Sequence, residues 1–210
     1  MSVIGLLGAG GHALEVESYA VEPIGFVVVD AMYLDAVRLP RSIPVVSFDA
    51  CGEAERETPV VAAVGAPGMR RELVDRWTGT HFARVIASRA LVHRGVPVGQ
   101  GSVVAPTAVI MPGAVVGQHV LINSGAIISH ECVIEDFATI SPSVSVGGRS
   151  RVGAGAFVGI GATLSSGVTI GRGAVIGAGA VVVRDIPPFG VYAGVPARFL
   201  RKTTDWLRFV

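Results

Sequence analysis

Aliphatic residues recur along the second half of the chain with a period of six. Stepping from Ile86 through Val92, Val98, Val104, Ile110, Val116, Ile122, Ile128, Ile134, Ile140, Val146, Val152, Val158, Leu164, Ile170 and Ile176 to Val182, every step lands on an aliphatic residue. Four places after each anchor stands a small or β-branched residue, as at Ala108, Ala114, Val120, Ala126, Cys132, Ala138 and Val144. Glycine follows the anchor at 99, 117, 147, 153, 159, 171 and 177, where a backbone bend with unusual φ is expected and is cheapest for it. A strand of period two cannot hold a period of six, but short strands separated by corners, three to a coil, can. The pattern predicts a left-handed parallel β-helix of hexapeptide repeats. Each coil takes about 18 residues, stacks at about 4.8 Å, and turns the two periodic positions into a narrow interior. A three-sided prism has flat apolar flanks and exposed coil edges that need covering. A homotrimer is therefore expected, with sites in the clefts between helices.

The front of the chain follows a different pattern. Residues 2–8 read as a short buried strand, and the GAGGHA that follows, Gly8 to Ala13, opens a helix running from Ala13 to about Ala20. A second strand, Gly25–Val29, ends on Asp30; a third, Pro59–Val64, ends in Gly65; Gly68–Trp77 is helical. Strand, glycine turn and helix in this order aim backbone N–H groups at a phosphate, and an acid some 20 residues on is placed for a ribose hydroxyl. The unit predicted is a short Rossmann-like βαβαβ α/β domain, too small for a whole dinucleotide and better matched to a mononucleotide part. The domains expected are 1–84 for nucleotide-sugar binding, 85–188 for the catalytic β-helix, and 189–210 as a C-terminal cap.

Composition narrows the picture. The chain is 50% apolar and 16% charged, with 28 glycines but only 6% aromatic residues, which suits a core too narrow for rings. A net charge of +1 without a basic block excludes a nucleic-acid partner. The start lacks the features of a signal peptide and no apolar run approaches about 18–20 residues, so no membrane partner and a cytoplasmic location are expected. Cys51 and Cys132 sit in different halves without zinc-like spacing, which reads as free thiols in a reducing compartment.

Three motifs carry a resemblance over essentially the whole chain: Gly10-Gly11-His12 at the front, His130-Glu131-Cys132-Val133-Ile134 in the repeats, and Gly194-Val195-Pro196-Ala197-Arg198 at the end. Together they resemble the sugar O- and N-acyltransferase family. It includes sialic acid O-acetyltransferases and the N-acetyltransferases of nucleotide-linked amino-deoxy sugars. The resemblance implies acetyl-CoA as donor, a histidine general base in an inter-subunit cleft, and a sugar acceptor held by the N-terminal domain. It points to N-acetylation of a nucleotide-linked 4-amino-4,6-dideoxy type sugar for surface polysaccharide synthesis. The alternative is a sugar O-acetyltransferase of the sialic acid type.

His130 stands two places after anchor Ile128, at a corner of the prism and facing outward, where a neutral imidazole suits a general base. Glu131 matches the family's orienting acid. Gly148, one coil after His130, is placed to offer its N–H to the oxyanion of the thioester. Cys132 falls on an interior position, where it acts as a small hydrophobe rather than a nucleophile, so transfer is direct. By family position, Thr139, Ile160 and Ala178 are CoA contacts; some relatives carry a histidine where this chain has Thr139. Arg198, with Arg201 and Lys202, is placed for CoA phosphates. For the acceptor, Gly10, Gly11 and His12 hold the diphosphate, Asp30 the ribose or base, and Gly65 and Arg70 the pocket edge. Trp206, Leu207 and Phe209 cover the end of the helix or a neighbour.

Two other classes use parts of this pattern. A carbonic-anhydrase type of β-helix needs about three convergent histidines, but His93, His119 and His130 follow their anchors by one, three and two residues, so no metal is expected. A non-catalytic nucleotide-sugar sensor is opposed by the outward His130-Glu131 pair below a corner glycine.

Overall fold

A computed structural model of the chain describes residues 3–37 and 39–209. Met1, Ser2, Arg38 and Val210 lie outside the described residues, and with them the expected start of the first strand at Ser2.

The front of the chain builds β1 (Ile4–Leu7), α1 (Gly11–Tyr19), β2 (Ile24–Val29), a 3-10 turn (Ala31–Ala36), β3 (Val45–Ser47), α2 (Glu53–Glu57), β4 (Val60–Ala62) and α3 (Pro67–Arg76). The four strands are parallel in the order β3-β2-β1-β4. IGLL, IGFVVV and VVA are unbroken apolar runs because both faces of the sheet are covered, Leu6 and Val27 packing on one side and Leu7 and Val28 on the other. β3 extends the expected three-stranded unit: its three residues directly follow Pro44 and are too short to stand out from the surrounding loop.

From Val85 onward the chain winds as two-residue strands, each an anchor and the residue before it. Leu121 pairs with Thr139 and Thr139 with Phe157, so the ladder advances one coil at a time. Three parallel sheets result. The first face carries Leu121–Ile122 and Thr139–Ile140, the second Ile127–Ile128 and Ser145–Val146, the third Val133–Ile134 and Arg151–Val152. The anchors from Val104 to Val182 are buried, with the alanines, valines and Cys132 of the second series between them. Ile86 departs from this: it is exposed, because no coil lies beneath the first one. The period ends after Val182. Ile186 bridges Ile170, two residues short of a full coil, and Gly190–Ala193 then pairs with Val175–Ile176 before an antiparallel edge strand, Arg198–Lys202.

The α/β unit covers the first face, where the outward side chains Val85, Val103 and Leu121 join the core of Leu6, Val16 and Val27. Beside them His119 stacks on Phe137 at 4.8 Å with Phe82 edge-on at 4.6 Å. The final stretch of the chain, residues 205–209, does not cover the end of the helix. It runs back along its side, where Trp206 fills the space left by Gly155 and Gly173, lies under the Arg71 guanidinium at 4.2 Å, and is followed by a bond from Gly68 N–H to Leu207 O at 2.8 Å. Phe209 is exposed. No helix among the described residues is long and apolar enough to cross a membrane.

Candidate active site

His130 and Glu131 occupy the corner between the second and third faces. Glu131 adopts the left-handed conformation (φ 59°), and its Oε2 lies 3.0 Å from His130 Nδ1. Two glycines on adjacent coils make room for the pair. A Cβ on Gly113, one coil below Glu131, would stand 3.2 Å from its Cγ; a Cβ on Gly148, one coil above His130, would stand 2.5 Å from Nε2. The imidazole therefore occupies the space that a side chain at Gly148 would need. Arg149 N–H, the next along, is bonded to His130 O at 2.9 Å, whereas the Gly148 N–H has no partner in the chain among the described residues. Both imidazole and carboxylate are open to solvent. The corner thus presents an oriented imidazole and a free backbone donor within one side chain's reach of each other. Cys132 is buried, its thiol directed to Gly147 O at 3.2 Å, and burial pushes its ionisation up.

A second concave site lies at the C-terminal ends of β1 and β2, the place where parallel sheets hold ligands. It is a cavity of about 300 Å³ floored by Gly8–Gly10 and Val28–Asp30 and walled by Tyr33, Val64, Met69 and Leu73. Gly8 turns at φ +98°, and a Cβ on Gly10 or Gly11 would meet nothing within 4 Å. The chain's own packing thus does not require these two glycines; their absent side chains leave the first turn of α1 open to an approaching anion. Asp30 takes two hydrogen bonds from Arg76, at 2.5 and 3.2 Å, which hold its carboxyl below the usual range. His12 sits in the first turn of α1, turned to Glu15 Oε2 at 3.0 Å, with Nε2 buried and unpartnered.

Two expected contacts are elsewhere. Thr139 is buried under the α/β unit, where its hydroxyl donates to Gly65 O at 2.8 Å; as an outward residue of the covered first face it is closed off from solvent rather than open to a ligand. Arg70 is not at the pocket edge. Its guanidinium is buried among backbone carbonyls of both domains, Gly65 O included at 3.0 Å. Ile160 and Ala178 are exposed and stack one coil apart at the corner between the first and second faces, across the second face from His130. Arg198, Arg201 and Lys202 lie on the exposed edge strand. His93 and His119 stand apart from His130, and among the described residues no group of three His, Cys, Asp or Glu could hold a metal ion. The residues that sequence reasoning missed are Tyr33, Met69, Leu73, Arg76 and Gly113. The spacing of 69, 73 and 76 on one helical face is a signal that would have found three of them.

With this geometry in view, comparisons with known proteins can be set beside it. The family model for the bacterial transferase hexapeptide (six repeats) matches residues 149–184. A search of the curated proteins returned no match. Among solved structures, the acetyltransferase domain of PglB from Neisseria gonorrhoeae in complex with acetyl coenzyme A is 31% identical, with 94% of this chain and 98% of that one covered at a TM-score of 0.82. PerB from Caulobacter crescentus, in complex with CoA and GDP-perosamine, is 30% identical over 96% of this chain and 98% of that one, at 0.81. WeeI from Acinetobacter baumannii, 24% identical over 95% and 100% at 0.77, shares the fold. The open imidazole on a hexapeptide β-helix, the cavity at the strand ends of the α/β unit, and likeness across nearly the full length of both chains lead to one assignment: the protein is an acyltransferase and belongs to the hexapeptide-repeat family of sugar O- and N-acyltransferases.

Proposed function

We propose that the protein transfers the acetyl group of acetyl-CoA to the amine of a nucleotide-linked amino-deoxy sugar, of the 4-amino-4,6-dideoxy type, for surface polysaccharide synthesis. The observation that carries the reading is the packing of His130 against Gly148, which sets a base beside an unpaired N–H. In the tautomer with its proton on Nδ1, His130 donates to Glu131 and keeps Nε2 free to accept. As the sugar nitrogen attacks the thioester carbon, Nε2 takes the proton from nitrogen and the Gly148 N–H donates to the developing oxyanion. Collapse of the tetrahedral intermediate forms the amide and expels CoA thiolate, which takes up a proton. Glu131 favours the imidazolium that forms.

The cavity at Gly8–Gly10 and Asp30 fits the nucleotide, its apolar floor for the base and the first turn of α1 for the diphosphate. PglB and PerB were solved with acetyl-CoA and with CoA plus a GDP-linked sugar, which supports both substrate classes here. His130 and the Ile160–Ala178 column flank the second face at its two edges, so a donor touching both lies between two copies. The exposed Leu91 and Ile127 on that face favour such an assembly, a homotrimer. Two buried free cysteines suit a cytoplasmic setting.

Release of CoA thiol should be followed with UDP- and GDP-linked 4-amino sugars, comparing native protein with His130→Ala. Turnover lost in the variant supports the reading. Full activity in the variant removes His130 as base, and turnover only with hydroxyl acceptors such as sialic acid moves the protein to O-acetylation.

A further inference from the structure

We infer that Arg70 is a positioning residue for the transfer: its buried guanidinium holds the nucleotide cavity at one fixed distance from the coil that carries His130. The inference rests on the reading above, that this cavity holds the acceptor.

Arg70 is 2% exposed, and among the described residues no carboxylate pairs with it. Its partners are carbonyls and one hydroxyl, divided between the two domains. On the α/β side, Nη1 donates to Val64 O at 2.7 Å and Gly65 O at 3.0 Å. On the β-helix side, Nε donates to His119 O at 2.8 Å, and Nη2 to Phe137 O at 2.7 Å, Ala138 O at 3.1 Å and Thr139 Oγ1 at 2.9 Å. Thr139 closes the ring by donating to Gly65 O. Burial without a counter-ion lowers the guanidinium's ionisation to about 9, a desolvation cost that a methionine of similar length would avoid. What methionine lacks is direction. A planar fork with five N–H groups fixes two backbones in both distance and angle, and an ammonium cannot reproduce that fork.

Both ends of this joint reach functional elements. Val64 walls the nucleotide cavity, and Met69 and Leu73, which flank Arg70 on α3, form another wall. Phe137–Thr139 complete the coil that begins at Ile127 and carries His130 on its corner. A short, wholly hydrogen-bonded path therefore runs from acceptor cavity to catalytic coil. Each protomer's cavity is set against its own β-helix and, through the assembly, against the neighbour's corner. Because misplacing a reacting group by about 1 Å can cost 10²-fold in rate, the path governs turnover without touching substrate.

The test compares native protein with Arg70→Lys and Arg70→Met. Calorimetry with UDP and GDP, and with acetyl-CoA, measures the two affinities, steady-state kinetics gives kcat and KM, and melting gives Tm. Dipolar distances between spin labels at Glu22→Cys and Thr169→Cys, the latter exposed on the third face, in labelled chains diluted with unlabelled ones, report the domain geometry. The expected result is a kcat lowered roughly 10- to 100-fold in both variants, with ligand affinities within about threefold of native and a broadened distance distribution. Arg70→Lys should recover part of the Tm but not the kcat. A native kcat beside a lower Tm overturns the inference, as does loss of nucleotide binding or an unchanged, narrow distance distribution. Absence of turnover in the native protein itself would instead sink the proposed reaction, and the distance distribution would still decide the role of Arg70.

Discussion

The imidazole of His130 rests on Gly148, so closely that a Cβ there would stand 2.5 Å from Nε2. Gly148→Ala should therefore displace the imidazole and crowd the N–H beside it. We expect kcat to fall roughly 10²-fold while the melting temperature stays within a few degrees, since the corner faces solvent. A Gly148→Ala enzyme with native kcat would show that neither the ring position nor the N–H matters.

Cys132, next but one to His130, is a core residue whose thiol burial keeps protonated. Cys132→Ala should keep activity within about twofold and lose on the order of 1 kcal/mol of stability. Trapping of an acetyl thioester on the native chain, or loss of turnover in the variant, would overturn direct transfer.

His119 gives the fold a pH dependence. Burial first, and the Arg70 charge second, push its imidazole down from 6.5 to about 4, with Asp136 and Asp75 opposing. The unfolded chain binds this proton near 6.5 and the folded one only near 4, so the neutral ring's stabilisation is complete above about 6.5. It is lost progressively as pH falls towards 4, by at most ~3 kcal/mol. Urea midpoints at pH 7.0, 5.5 and 4.5 should fall for native protein and fall less for His119→Phe. Parallel declines would place the acid sensitivity elsewhere.

Trp206 fills the space over Gly155 and Gly173, lies under the Arg71 guanidinium and packs at a tilt against Phe137. Trp206→Ala should cost about 2–4 kcal/mol, read from chemical denaturation. A loss below about 0.5 kcal/mol would mean that the returning segment does not help to hold α3 against the β-helix.

The β-helix is legible because its interior admits only two kinds of slot. Ile128 and Cys132 announce themselves by position alone, and with them the outward corner of His130 and the coil-above placement of Gly148. The glycine turn and Asp30 are legible for a similar reason, since strand ends and tight turns are local. Thr139 and Arg70 were misplaced because burial on the first face comes from another domain. Nothing local distinguishes Thr139 from the exposed Thr163 one face over, or the buried Arg70 from Arg71 beside it. Tyr33 and β3 lie in a loop whose course depends on what it packs against.

The one-coil advance of the pairing from Leu121 to Thr139 to Phe157 restricts which changes of length this chain can survive. Deleting one residue between Ile110 and Val182 would rotate every later anchor out of the interior, whereas adding a complete turn of the prism would preserve all of them and lengthen the β-helix by about 4.8 Å. Viable indels in this half of the gene should therefore arrive as whole turns or as loops extruded at corners. The shortened step to Ile186 falls where no further turns follow and loss of frame carries no penalty.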